Sequence, residues 1–307
     1  MKSANPYRTR AALYQFLLKH GFILVKSDFG ETTSRRFIHC IIHKVGKSKL
    51  FFGKIARTPE LAKNLERELA LGRSVQNLPH KIGMIVPVER ISPDVFLYPF
   101  IRTQRLSDYF DRCRGRLPSE LQALLGQRAV SFCYAQRSIR YRPQSRRIPP
   151  RGEARLVRLA RRRPIYRRAE LLKLQKQLDR TSRNYHFEVG DLQLQNMFWD
   201  SKNKALVLFD LEAWGEYRAH WSLASLFAIS WFRHQGEQFS RELFHTFIAD
   251  KRTTAAELHS FLLCCVYFVF IYYPKYSRRG QCYRKNFRRL VNWIVEVGST
   301  LEKGERF

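Results

Sequence analysis

The sequence has 307 residues, 45% of them hydrophobic and 14% aromatic, so the chain can bury a real core and is not intrinsically disordered. Lys and Arg number 56 against 26 Asp and Glu, a formal charge of +30 that points to anionic partners: nucleic acid, an anionic membrane surface or polyanionic substrates. Residues 11–20 read as a short amphipathic helix ended by Gly21. Three β-rich runs follow, at residues 22–25, 37–42 and 50–55, parted by polar, Gly-containing segments as in an antiparallel meander. Residues 59–75 place Leu61, Leu65, Leu69 and Leu71 at helical spacing, with Pro59 in the first turn. Strands are predicted again at 84–88 and 95–100. Strand, strand, strand, helix, strand, strand makes an α+β lobe over residues 1–101.

From residue 102 to 307 the pattern is mainly helical, with helices predicted over 118–134, 169–179, 221–232, 239–248, 255–273 and 287–297. A small β-rich patch interrupts them at 185–189, 197–199 and 206–211. The most apolar run, Phe261 to Tyr273, is shorter than the ~20 residues of a membrane-spanning helix and stops at Pro274, so a buried core helix is expected. The N-terminus lacks the unbroken apolar core of a signal peptide, and none of the six cysteines forms a C-x-x-C pair. A thiol-containing, cytoplasmic chain is the expectation, peripheral at the inner face of a membrane if it meets one.

Residues 137–168 are the compositional outlier, with thirteen arginines against one acid, Glu153. Prolines 143, 149, 150 and 164 argue against one continuous helix there, and the segment reads as an exposed basic insertion. Three roles stay open for it: a solvated insertion, contact with an anionic membrane, or contact with a nucleic-acid backbone. Arginine without lysine favours bidentate capture of phosphates or carboxylates. Aromatics for base stacking are sparse, with only Tyr141 and Tyr166.

Chemistry concentrates in Val189-Gly190-Asp191-Leu192-Gln193-Leu194-Gln195-Asn196 and Leu208-Phe209-Asp210-Leu211-Glu212. Phosphoryl transfer asks little covalent work of a protein; it needs an oriented acceptor hydroxyl and metal ions bridging the phosphates. A loop carboxylate can serve the hydroxyl. An amide oxygen and a second carboxylate, on the two arms of a hairpin, can serve the hard Mg²⁺ ion. Other motifs fail: Gly46-Lys47-Ser48 lacks the first glycine of a P-loop, and His186-Phe187-Glu188 lacks the cysteine pair of a zinc deaminase.

Gly-Asp-x-x-x-x-Asn, followed by an apolar strand, a turn and an apolar strand ending in Asp, resembles the catalytic and metal-binding segments of the aminoglycoside phosphotransferase and choline kinase-like families. The resemblance implies a two-lobed protein-kinase-like fold, with ATP and Mg²⁺ as cofactors. It makes Asp191 the catalytic base or hydroxyl orienter, and Asn196 and Asp210 the metal ligands. Lys54 stands where a kinase lysine contacts the α- and β-phosphates. Glu68 stands where its ion-pair partner would be, with Glu66 as competitor. Residues 97–101, with Tyr98 and Phe100, resemble the hinge that binds adenine through its backbone. Two departures matter: Val189 stands where these families usually carry histidine, and the loop at 27–34 holds a single glycine.

The implied function is transfer of phosphate from ATP to a hydroxyl. A strongly cationic protein suits an anionic acceptor, and the lipopolysaccharide-core sugar kinases resemble this pattern, so a sugar of a membrane-held anionic glycolipid is the first expectation. A catalytically weak kinase-like protein that docks on nucleic acid or membrane is the alternative. A small-molecule or antibiotic kinase is the third.

Overall fold

Thr9 opens the described fold: its hydroxyl accepts the Ala12 N–H at 3.1 Å and caps α1 (Arg10–Lys19). Gly21, at φ 79°, turns the chain out of that helix. The computed structural model describes residues 9–28, 36–76, 82–139, 150–181, 184–200, 202, 205–210 and 213–303. Most of the glycine-poor loop at 27–34 lies outside them. The chain divides into two compact units. One comprises Met1–Asn77, Met84–Thr103 and Phe209–Glu212; the other comprises Leu78–Gly83, Gln104–Leu208 and Ala213–Phe307.

The first unit is built on β1 (Phe22–Ser27), β2 (Phe37–Lys44), β3 (Leu50–Ala56), β5 (Glu89–Ser92) and β6 (Val95–Pro99); β4 (Ile82–Met84), which precedes β5 in sequence, is not a strand of this sheet. Their antiparallel order is β1-β2-β3-β6-β5, which extends the expected meander by two strands. Phe51 and Ile55 of β3 join Leu13 and Leu17 of α1, Phe22, Ile38, Ile42 and Leu97 in one apolar core. Side chains alternate across a strand, so Phe52 and Lys54 stand on the opposite face. Helix α2 (Pro59–Gln76) buries Ala62, Leu65, Glu68, Leu71 and Val75. The strand expected at 84–88 is a correction. Pairing stops at Met84 and resumes at Glu89, because Ile85 and Val86 are buried outside the ladder and Pro87 has no N–H to give one.

The second unit opens with β7 (Gln104–Arg105), α3 (Leu106–Arg112) and α4 (Ser119–Ala135), and a 3₁₀ turn at Gln136–Ser138 follows α4. Next come α5 (Pro150–Arg161), α6 (Arg168–Thr181), β8 (Tyr185–Val189), a 3₁₀ turn at Leu194–Asn196, β9 (Met197–Asp200), β10 (Ala205–Leu208) and β11 (Trp214–Arg218). Helices α7 (Trp221–Arg233), α8 (Glu237–Ala249), α9 (Ala255–Tyr276) and α10 (Gln281–Glu302) complete it. Helix α9 is long and apolar enough by composition to cross a membrane, and residues 261–270 are buried against the rest of this unit. Phe227, Trp231, Phe244, Phe261 and Trp293 pack ring to ring around it, with centroids as close as 4.7 Å for Phe227 and Trp293.

Three expectations for this unit are corrected. The expected single β-patch is two pairings: β9 pairs with β10, while β8 pairs with β11 (Trp214–Arg218), a strand outside the predicted patch. Helix α9 runs through Pro274, because Tyr273 and Tyr276 pack on Phe287 and Phe232 and hold the last turn. Residues 150–161 of the arginine segment form α5, which buries Glu153 and Ala160 and packs on α9. Arg137 is part-buried and bonded to Glu257. The basic segment is thus in part a built element of the fold.

Candidate active site

In the sheet unit, Lys54 is 2% exposed and its Nζ lies 2.7 Å from Asp210 Oδ1 and 3.5 Å from Glu68 Oε2. Glu68 is fully buried and accepts the Tyr98 hydroxyl at 2.9 Å. Glu66 stands on the exposed side of α2 and pairs with Arg90 at 2.7 Å. The competition between these two glutamates is therefore decided by helical phase, for only Glu68 faces β3. Phe37 lies under the ammonium at 4.6 Å, and Phe209, which precedes Asp210, wedges between Phe52 and Tyr98 at 5.3 and 5.6 Å. That wedge fixes the start of the Asp210 segment. Asp210 itself sits at φ 65°, a left-handed conformation that is uncommon outside glycine and concentrates at functional sites.

The cluster holds two carboxylates for one ammonium. The Asp210 side chain is 29% exposed, so its carboxylate can present an oxygen to a cation. Asp210 Oδ2 has no partner among the described residues. Oxygen donors of this kind fit a hard ion such as Mg²⁺. No group of three or more His, Cys, Asp or Glu forms a metal cluster among the described residues. Tyr98 is fully buried with its hydroxyl engaged by Glu68, and Pro99 ends β6, leaving Phe100 just beyond the sheet.

In the helical unit the chain leaves β8 through Gly190, where a Cβ would overlap the Tyr217 hydroxyl and meet the Ala213 carbonyl at 2.5 Å. Only glycine fits there. Its N–H donates to Ala213 O at 2.8 Å. Leu192 and Leu194 are buried and pin the loop that follows, while Asp191 stays partly exposed. Asn196 Nδ2 donates to the Asp191 backbone carbonyl at 3.0 Å and to its carboxylate at 3.2 Å, and Gln193 Nε2 donates to the other carboxylate oxygen. The Asn196 amide oxygen has no partner among the described residues, which leaves an oxygen donor for a metal ion. Tyr272 of α9 lies near enough that burial and the Asp191 charge both raise its phenol above the ordinary value.

Behind the loop stands a second layer that sequence reading did not find. Val189 donates its N–H to Gln136 Oε1 at 2.6 Å, and its carbonyl accepts the Ser222 hydroxyl at 2.7 Å. Glu188 is fully buried and accepts the His220 N–H at 2.7 Å and the Ser222 N–H at 2.9 Å, tying β8 to the start of α7. Burial pushes its carboxyl up to about 7, although those bonds pull the other way. His220, at φ 67°, shares its Nε2 with Arg137 and Glu257. Burial raises Glu257, but bonds from His220 and Arg137 bring it down to about 2. No motif marks Gln136 or Ser222; their only signal is burial of a polar side chain, which sequence does not display.

No protein-family model matches the chain, and no curated protein matches it. Solved structures do. The chain resembles a macrolide 2'-phosphotransferase type I over 92% of its own length and 97% of the other, at TM-score 0.60 and 13% identity. A microcompartment-associated aminopropanol kinase matches at TM-score 0.56 and 13% identity, covering 96% of this chain and 98% of that one. A Plasmodium vivax ethanolamine kinase matches at TM-score 0.52 and 8% identity, over 89% of this chain and 81% of that one. At these identities the likeness is one of fold. This chain has the protein-kinase-like fold found in the aminoglycoside and macrolide phosphotransferases and in ethanolamine and aminopropanol kinases.

Proposed function

We propose that this protein is an ATP-dependent phosphotransferase with a hydroxyl acceptor. The observation that carries the reading is Lys54, buried between Glu68 and an Asp210 held in the left-handed region. Such a cluster costs stability unless an anionic ligand and its cation use it. In this reading Lys54 contacts the nucleotide phosphates, Asn196 and Asp210 hold Mg²⁺, which offsets the phosphate charge, and Asp191 orients the acceptor hydroxyl. The backbone beside Tyr98 and Phe100 receives adenine, since the Tyr98 side chain is already committed. The reading of a catalytically weak binding protein rests on Val189 and on the glycine-poor loop at 27–34; the bonds that Gln136 and Ser222 make with the Val189 backbone weigh against the first of these.

For the acceptor, a charge of +30 favours an anionic molecule, such as a sugar of the lipopolysaccharide core. The fold neighbours named as aminoglycoside, ethanolamine and aminopropanol enzymes support an amino-alcohol or antibiotic acceptor instead. An ATP-consumption screen over both classes separates them. Nucleotide binding is tested by thermal shift: ATP with Mg²⁺ is expected to stabilise the wild type and not Asp210→Ala. Equal stabilisation of the two would remove Asp210 from the metal site.

A further inference from the structure

Two segments more than a hundred residues apart in sequence form one basic face on the helical unit. Residues 154–163 carry five arginines and no acid, and residues 281–292 carry three arginines, a lysine and no acid. The connection from α5 to α6 joins them: Arg167 donates to Asn292 of α10 at 3.1 Å, and Arg288 lies over the Tyr166 ring at 5.4 Å. Arg155, Arg158 and Arg162 are exposed and line a surface concavity of about 600 Å³ with Ala154 and Leu159. Arg284, Lys285 and Arg288 are exposed and line a second, of about 620 Å³. None of these six cations has a carboxylate partner among the described residues. The neighbouring acids are spent elsewhere: Glu153 on Arg218, Glu170 on Arg167, and Glu237 on Arg241 and Arg289.

We propose that this face docks the protein on an anionic lipid bilayer. The inference is independent of the phosphotransfer reading, because none of its residues belongs to the candidate active site. Two features favour a bilayer over a nucleic acid. Leu159 shares its concavity with the arginines, and Leu156 and Val157 beside it are only half-buried; apolar side chains among cations suit the boundary between headgroups and acyl chains. The rings that could stack on bases are already in use, Tyr166 under Arg288 and Tyr283 against Tyr276 at 5.8 Å. Charge read along the sequence points to residues 137–168 alone. The folded chain instead turns Arg137 inward and adds the first half of α10.

The test is sedimentation of the full chain with vesicles of about 70% phosphatidylcholine and 30% phosphatidylglycerol, and with phosphatidylcholine alone. Each cation lost is expected to weaken binding about fivefold at low salt. Binding should therefore occur only on the anionic vesicles and fade between ~0.05 and ~0.5 M salt. Arg158→Glu with Arg162→Glu, and separately Arg284→Glu with Lys285→Glu, should each weaken it by about 25-fold or more. Leu159→Gln should weaken vesicle binding while leaving binding to soluble polyphosphate unchanged. Melting temperature and the ATP-induced thermal shift, measured on every variant, should match the wild type. Absence of vesicle binding at low salt, or binding indifferent to both charge-reversal pairs, would overturn the proposal. Tighter binding of an RNA oligonucleotide than of vesicles at equal phosphate would assign the face to nucleic acid and overturn it as well.

Discussion

In the sheet unit Lys54 is held by charge: a buried ammonium between two carboxylates, near the Phe37 and Phe209 rings. In the helical unit the Asp191 carboxylate accepts hydrogen bonds from the Gln193 and Asn196 amides, and behind it the Gln136 amide oxygen accepts the Val189 N–H. The difference fits the roles proposed for the two side chains. A cation that meets phosphates gains from a field that is already negative. A base that must accept a proton cannot be locked by a buried cation, which would favour its charged form and weaken it as a base.

The largest expected effect breaks the first arrangement. Lys54→Met would leave Glu68 buried without its ammonium, although the Tyr98 hydroxyl would still donate to it. Uncompensated buried charge of this kind costs about 3–5 kcal/mol, so urea unfolding should show a loss of that order together with loss of ATP binding. Unchanged stability would mean that Glu68 is protonated or hydrated. Next comes the second arrangement: Asp191→Asn preserves shape but not proton acceptance, and should lower kcat on the order of 10²-fold or more with ATP binding intact. Unaltered turnover would make Asp191 structural.

A third test uses the sign of two titrations behind the loop. Glu188 is raised from 4.5 to about 7, so its contribution is fully present below pH 4.5 and is lost as pH rises through about 7. Glu257 is lowered from 4.5 to about 2, so its contribution is present above 4.5 and is lost as pH falls through about 2. Together they place the best stability of this layer near pH 4.5. The Glu188 limb is on the order of 2–3 kcal/mol between pH 4.5 and 8, measurable by denaturant unfolding. Glu188→Gln should flatten that limb; an identical slope in the variant would clear Glu188 of responsibility.

How much of this was legible in sequence depends on the length scale of the cause. The meander, α2 and the core helices follow from local periodicity, and the expected protein-kinase-like fold is borne out by the neighbours' architecture. Alternation along β3 also sets Lys54 opposite Phe51 and Ile55. The choice of Glu68 over Glu66 needed the phase of α2 against the sheet. The pairing of β8 with β11 joins residues on either side of another hairpin, and no local pattern states it. Helix α5 was hidden because an Arg-rich stretch reads as solvated until Glu153 is seen paired with Arg218, itself 2% exposed. Non-local partners decided every one of these.

The smallest expected effect concerns Val189. Resemblance alone makes the missing histidine a defect; the structure places Gln136 Oε1 2.6 Å from the Val189 N–H, inside a fully buried site. If Gln136 fixes the backbone from which Asp191 projects, then Gln136→Leu must do two things at once. It strands a buried N–H, which costs about 1–3 kcal/mol. It also lets the Gly190-Asp191 segment shift by a fraction of an ångström, enough to lower kcat on the order of tenfold while KM for ATP stays put. A merely structural glutamine would move stability alone. Gln136→Glu separates the cases further, because a buried, protonated carboxyl still offers an acceptor oxygen at the same reach and should restore kcat. Loss of stability in Gln136→Leu with kcat intact would confine Gln136 to the core and leave the loop to be held by Ser222 and Glu188.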